Sequence, residues 1–305
     1  MPVKREQMEK LLPELLKNLW NTVDGKRYTE EQYESEKECL LDGYRHQWIG
    51  SLLTDRHRNL KQSLVAELGA YLGTKDLTEV ERRCAAAADE LEEEWAEKVI
   101  PDRRQSIENL YNDSETILYE LMWWHTLLED DAPLAYVTAL DLARQLDCRS
   151  YLDFGAGVGS GGLLFARQGL QVTLADISSR LLAFSRWRFD QRRLDVRIID
   201  LKEQALPKHS FDLVTAMDVF EHLVDPVGTL DLISDALRPG GVIFGRFHVD
   251  PDDERGQHIV HDFEPCFEHL KALGFVRIWE DDWLWGHLAF RKSGGKKNEV
   301  RSHAA

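Results

Sequence analysis

From Arg149 onward, short apolar runs alternate with amphipathic stretches, and this alternation constrains the fold more than any other feature of the chain. The runs are Ser150–Phe154, Gln171–Ala175, Asp195–Ile199, Phe211–Ala216, Gly241–Phe247, Phe275–Glu280 and Gly286–Arg291. Helical periodicity fills most of the gaps, over Gly161–Gln168, Ser179–Arg193, Val227–Ala236 and Pro265–Leu273. Strands separated by helices form right-handed βαβ units, so the spacing predicts an α/β fold with a doubly wound, mostly parallel, seven-stranded sheet. The last two runs are joined by a short turn, which predicts an antiparallel edge.

The preceding half has a different texture. Leu11, Leu12, Leu15, Leu16 and Leu19 recur at helical spacing, and Leu40–Leu72 continues in that style. Thr78–Val99 combines Ala85–Ala88 with an acidic face, Ser106–Leu128 is a further apolar-rich helix, and Pro133 opens another that ends near Leu146. A length of 305 residues suits two domains. The expected division is an all-helical N-terminal cap or substrate domain over 1–146, an α/β domain over 147–292, and a flexible tail rich in Gly, Lys and Ser over 293–305.

Tyr151-Leu-Asp-Phe-Gly-Ala-Gly-Val-Gly159 carries the most chemistry. The first strand ends near Asp153, and Gly155, Gly157 and Gly159 turn the chain into a helix while letting a ligand approach the backbone. Dinucleotide folds use a related loop, with the third glycine one residue later. An acid two residues before the first glycine would repel a pyrophosphate but can bond an ammonium group, which favours S-adenosylmethionine over a nicotinamide cofactor. Asp176 ends the second run, where its carboxylate can accept from both ribose hydroxyls. Asp200 ends the third, within reach of an adenine amino group, and Asp218 ends the fourth, near a methionine portion. The competing role for any one of these aspartates is that of a helix N-cap or turn residue.

Taken together, Leu-Asp-Phe-Gly-Ala-Gly-Val-Gly, Leu-Ala-Asp-Ile-Ser, the stretch from Phe211 to Pro226 and Leu-Arg-Pro-Gly-Gly-Val-Ile-Phe resemble the class I S-adenosylmethionine-dependent methyltransferases, with their Rossmann-like fold. The resemblance covers roughly Tyr151–Arg291. It implies S-adenosylmethionine as cofactor, held by Asp153, Gly155, Gly157, Gly159, Asp176, Ile177, Asp200, Leu201 and Asp218. The Asp218-Val-Phe-Glu-His222 motif looks like the small-molecule subgroup, not the Asn/Asp-Pro-Pro-Tyr form that acts on base and glutamine amino groups. The scaffold hosts many acceptors, so the resemblance leaves the substrate open.

Methyl transfer needs an aligned acceptor and, where necessary, a group to take its proton. His222 beside Glu221 is the first candidate, although the pair could simply start the next helix and contact the cofactor. His248 follows the fifth run, and His258 and His261 lie three apart beside Asp262. On a helix those two imidazoles would share a face and form a metal-like set with Asp262. A polar or acid/base loop fits the segment better, so His261 is taken as a catalytic candidate, His248 as substrate-lining, and no metal is expected. In the helical half, Tyr111, Tyr119, Trp124 and His125 are the candidates for substrate contact, because helices just before the first strand commonly cover the cofactor in this family; buried packing is the competing role for each aromatic. The Arg186–Arg193 cluster reads as solvated surface.

Charge narrows the partners. The chain carries 38 Lys+Arg against 54 Asp+Glu, a net charge of −16, of which −12 falls within residues 1–145. Such acidity argues against a nucleic-acid or anionic-membrane partner. The four cysteines form no C-x-x-C pair, and neither a signal peptide nor a stretch approaching the ~20 apolar residues of a membrane span is expected, so a reduced, cytoplasmic protein is the reading. The leading expectation is methyl transfer to an oxygen or nitrogen nucleophile of a small molecule. The alternatives are cyclisation or transfer of the cofactor's aminobutyrate arm with release of methylthioadenosine, and a non-catalytic cofactor-binding protein. A homodimer, with the helical domain packed on a second copy, stays open.

Overall fold

The computed structural model describes residues 30–54, 57, 59–100, 103–128, 131–248, 255–280 and 286–293. The charged start Met1–Lys10, the helix predicted around Leu11–Leu19 and the tail beyond residue 293 lie outside them. Among the described residues six helices come first: α1 (Glu30–Leu52), α2 (Leu60–Leu72), α3 (Leu77–Lys98), α4 (Arg104–Asp113), α5 (Thr116–Trp123) and α6 (Leu134–Gln145). Two long helical readings are broken here. The Leu40–Leu72 stretch divides into α1 and α2, and Asn59 caps α2 by accepting from the Gln62 amide at 3.1 Å. Ser106–Leu128 divides at Ser114, whose backbone is extended and whose hydroxyl accepts from the Ile117 amide at 3.3 Å. Neither break carries a proline or a glycine, so periodicity alone did not reveal it.

The α/β half follows the predicted order: β1 (Ser150–Phe154), α7 (Ser160–Arg167), β2 (Gln171–Asp176), α8 (Ser179–Arg192), β3 (Arg197–Asp200), β4 (Phe211–Ala216), a 3₁₀ turn at Phe220–His222, α9 (Pro226–Ala236), β5 (Leu237–Arg246), α10 (Glu264–Ala272), β6 (Phe275–Glu280) and β7 (His287–Lys292). The seven strands are arranged β3-β2-β1-β4-β5-β7-β6. β1 is buried at every position, as a strand covered on both faces must be. It pairs in parallel with β2 on one side and β4 on the other, so winding reverses beside β1 and opens a crevice at the strands' carboxyl ends.

The last two strands form the expected antiparallel edge. β7 is antiparallel to both β5 and β6, and it lies between them, leaving β6 at the edge. The short β6–β7 connection cannot cross the sheet, which forces an antiparallel pair. The burial of His287, Leu288, Ala289 and Phe290 draws β7 to the inner position, whereas exposed positions interrupt β6.

One hydrophobic cluster runs from Leu40 in α1 through the helical half to Phe244 and Ala289 in the sheet. A second, including Leu152, Val214, Ile243, Leu230 and Leu270, fills the opposite face beneath α9 and α10. Burying the apolar faces of the N-terminal helices against the sheet is therefore what seats them over one side of it. Trp48 is fully buried; its indole N–H donates to the Thr126 carbonyl at 2.9 Å and its ring stacks on Tyr136 at 5.7 Å. A buried ionic cluster adds to this contact. Glu67 of α2 pairs with Arg188 at 3.1 Å and with Arg192, both on α8, and Arg192 also donates to the Leu52 carbonyl at 2.8 Å. Thus part of the arginine cluster read as surface is core. No helix among the described residues is long and apolar enough to cross a membrane.

Candidate active site

A cavity of about 740 Å³ opens at the carboxyl ends of the strands, roofed by α3, α4 and α5. Its size falls within the roughly 300–1,000 Å³ usual for small-molecule sites. The glycine loop forms one wall. Gly155, Gly157 and Gly159 have φ of 71°, 51° and 74°, in the left-handed region where side chains are strained. A Cβ on Gly155 would lie 2.5 Å from the Val219 side chain, so the loop needs glycine there for space as well as conformation.

Asp176, at the end of β2, is locked to that loop. One carboxylate oxygen accepts from the Gly157 amide at 2.9 Å and the other from the Ser178 amide at 2.8 Å. Each oxygen keeps further acceptor capacity, and the residue lines the cavity. Burial raises its pKa against the pull of those amides. Ile177 continues the same wall. Asp153 is fully buried one layer below, accepting from Thr215 at 3.0 Å and Tyr136 at 3.4 Å; burial pushes its carboxyl up to about 7. Asp153 itself does not border the cavity, but Tyr136, which donates to it, does.

Asp200 and Leu201 stand outside the cavity wall. Asp200 accepts from the Ser179 hydroxyl at 2.5 Å and pairs with Lys202 at 3.4 Å; burial works against ionisation there, but these donors hold its pKa low. Asn112, in α4, accepts from the Ser179 amide and from Lys202, each at 3.2 Å, and lashes the roof to this edge of the sheet.

Asp218 faces the cavity with φ of 49°. Arg246, at the end of β5, donates to it at 3.1 Å, and His125 lies 3.5 Å away and 3.2 Å from Glu120. Burial opposes both charges. The His125 and Arg246 cations nevertheless hold Asp218 well below the usual carboxylate range, and Glu120 and Asp218 raise His125 well above its ordinary value. Arg246, Glu120 and Tyr136 escaped the sequence reading. Arg246 ends a strand just as the chosen aspartates do and was open to the same rule, whereas nothing local marks Glu120 or Tyr136.

Beside Asp218 lies a second group. Glu221 is 1% exposed, and neither of its carboxylate oxygens has a hydrogen-bond donor among the described residues. Burial and the Asp218 charge push it up to about 8. His222 Nδ1 lies 2.8 Å from the Gln257 carbonyl. A carbonyl only accepts, so Nδ1 carries the proton and Nε2 keeps its lone pair. Burial and the neighbouring His258 push His222 down to about 4. His258 is 7% exposed, and its ring meets His222 edge-on at 4.8 Å.

The other candidates separate. Tyr111, Trp124 and His125 line the cavity, and Tyr111 meets the His222 ring edge-on at 6.2 Å. Tyr119 instead packs between α3 and α5, where Arg83 donates to its hydroxyl at 2.7 Å and covers its ring at 4.0 Å. His248 and His261 are exposed and do not border the cavity. The helical spacing considered for His258 and His261 is absent, because Ile259 and Val260 both donate to the Glu221 carbonyl and hold the segment as a loop. That loop turns His258 inward. His287, buried beside Phe244 and lining the cavity, opens β7 and carries no local signal.

These residues fit S-adenosylmethionine. Asp176 offers acceptors for hydroxyls, the glycines leave room for close approach, and the Asp176, Asp218 and Glu120 carboxylates offer acceptors to an ammonium.

A family described as a methyltransferase domain matches residues 152–243. The chain is 30% identical over 133 residues to the ubiquinone biosynthesis O-methyltransferase of Xanthomonas campestris pv. campestris (strain B100), a match covering 40% of this chain and 54% of the relative. It is 35% identical over 108 residues to the protein of that name from Paramagnetospirillum magneticum (strain ATCC 700264 / AMB-1), covering 34% and 42%. The chain thus spans about half the length of the curated relatives it matches. Among solved structures, the PH0226 protein from Pyrococcus horikoshii OT3 is 18% identical with a TM-score of 0.43, covering 61% of this chain and 96% of that one.

Proposed function

We propose, from the premise that the α/β half of this chain is a class I S-adenosylmethionine-dependent methyltransferase domain, that the protein methylates an oxygen or nitrogen nucleophile of a small molecule. The observation that carries this reading is the continuity of one cavity from the glycine loop and Asp176 to Glu221 and His222. When bound, S-adenosylmethionine supplies an electrophilic methyl group on a sulfonium. The chain supplies the rest. Asp176 holds the ribose hydroxyls, Gly155, Gly157 and Gly159 admit the backbone-facing edge of the ligand, and Asp218, anchored by Arg246, receives the methionine end. Asp153 supports the loop from beneath and Ile177 borders the adenine, while Asp200 and Leu201, outside the cavity wall, act only through the Ser179 and Lys202 edge behind it. Glu221 and His222 activate the acceptor, in a pocket that Tyr111, Trp124 and His125 close against water.

We assign the helices up to residue 146 the role of a cap that selects the acceptor, with residues 147–292 as the cofactor-binding unit. The names of the relatives favour an oxygen nucleophile. A cytoplasmic location, in a reduced setting that suits the free cysteines, an absence of nucleic-acid partners and a homodimer complete the reading.

Incubation with S-adenosylmethionine tests the reaction. With phenolic and amine acceptors present, S-adenosylhomocysteine and a methylated product are expected, with no turnover without acceptor. Release of methylthioadenosine from the cofactor alone would replace methyl transfer by chemistry on the aminobutyrate arm.

A further inference from the structure

We propose that Glu221, His222 and His258 form a binding site for one divalent transition-metal ion of the zinc and iron(II) class at the floor of the cavity. One ligand atom from each residue lies within 4.8 Å of the others. Ligands around a tetrahedral zinc ion lie about 3.3 Å apart, so the three atoms must draw together by no more than roughly 1.5 Å, within the range of small side-chain rotations. Two imidazoles and one carboxylate are the donor set of catalytic zinc and non-haem iron sites, which keep further positions open.

Three features of the surroundings support a bound cation. First, Glu221 is buried with both oxygens lacking a donor among the described residues. An ionised carboxylate in that state is costly, and protonation alone would leave an O–H without an acceptor. Second, the Nδ1–H of His222 donates to the Gln257 carbonyl at 2.8 Å. That bond orients the ring and leaves Nε2 as a ligand, the arrangement metal-bound histidines adopt. Third, the amides of Ile259 and Val260 donate to the Glu221 carbonyl at 2.8 and 3.0 Å. The loop bearing His258 is thereby clamped onto the residue that supplies the carboxylate, so ligands 37 positions apart share one rigid support.

All three residues line the cavity, so an ion there would face the acceptor. The site stands on these side chains alone; its role in holding an acceptor oxygen or nitrogen rests on the function proposed above. The full chain, stripped with chelator and titrated with Co(II), is expected to bind one ion and to develop ligand-field bands in the visible. Loss of a group that merely hydrogen-bonds a metal ligand weakens metal binding about 10–100-fold. His258→Ala and Glu221→Gln, each checked for folding by its melting curve, are therefore expected to weaken Co(II) binding by about 100-fold or more. X-ray absorption on the wild-type cobalt protein is expected to show two imidazole ligands, a result that stands if either variant fails to fold. Absence of stoichiometric binding, equal affinity in folded variants, or a spectrum without imidazole scattering overturns the site. Binding of S-adenosylmethionine by the metal-free chain, measured separately, tests the functional reading without touching the metal result.

Discussion

Asp176 shows how much one residue can do when its position follows from local pattern. It ends a buried strand, and both oxygens are already held by the Gly157 and Ser178 amides, so its orientation is set before any ligand arrives. Replacing it by alanine leaves those amides and the ligand's hydroxyls without their acceptor. Asp176→Ala is expected to weaken S-adenosylmethionine binding by roughly 1–3 kcal/mol, read by calorimetric titration. Unchanged affinity would remove Asp176 from the cofactor site. Its position was legible because a strand end needs only the alternation of apolar and polar residues to be located. His258 is the opposite case. Its chemistry was visible in the sequence, but its partner was not, because Glu221 is 37 positions away and meets it only through a loop. For the same reason His261, the neighbour that helical spacing would have chosen, is left exposed.

Among the elements, the succession of strands and helices along the α/β half came through and helix ends did not. The α1–α2 and α4–α5 breaks rest on Asn59 and Ser114, small polar residues whose capping role depends on where the chain turns next. Between strands, Asp212 at the start of β4 ties down the start of β1. It accepts from the Arg149 and Ser150 amides, each at 3.0 Å, from the Ser150 hydroxyl at 2.8 Å, and from Arg238 at 2.8 Å. Burial favours its neutral form, yet these donors outweigh burial and hold its pKa at about 2. A folded pKa below the unfolded value of about 3.9 means that the stabilisation is complete above pH ~4 and is lost as pH falls through about 2. With the side chain one-quarter exposed, the contribution is roughly 1–2 kcal/mol. Denaturant melts should therefore show Asp212→Asn less stable than wild type by that amount at pH 7, with the gap closing between pH 4 and pH 2. A gap that persists at pH 2 would mean that packing, not charge, joins the two strands.

Across the whole molecule, the helical half and the cofactor loop are mechanically joined. Glu67 of α2 holds Arg188 and Arg192, and Arg188 in turn donates to the Val158 carbonyl at 2.8 Å and the Ser160 hydroxyl at 2.9 Å within the glycine loop. Removing one member of a buried ion cluster leaves its partners uncompensated, at a cost of about 3–5 kcal/mol. Glu67→Ala is expected to lose that much stability in chemical denaturation and to weaken S-adenosylmethionine binding as the loop loses its support. A loss below 1 kcal/mol would show that apolar packing alone seats the helices.

The amino-acid sequence by itself determined the parallel α/β sheet, the glycine loop and the acids at the strand ends, because strand period, turn chemistry and the left-handed glycines are decided within a few residues. Only the tertiary structure decided the inner place of β7, the burial of Arg188 and the meeting of Glu221, His222 and His258. Each of those depends on which distant surface a residue is pressed against, and burial, ion pairing and ligand geometry arise only once those surfaces have met.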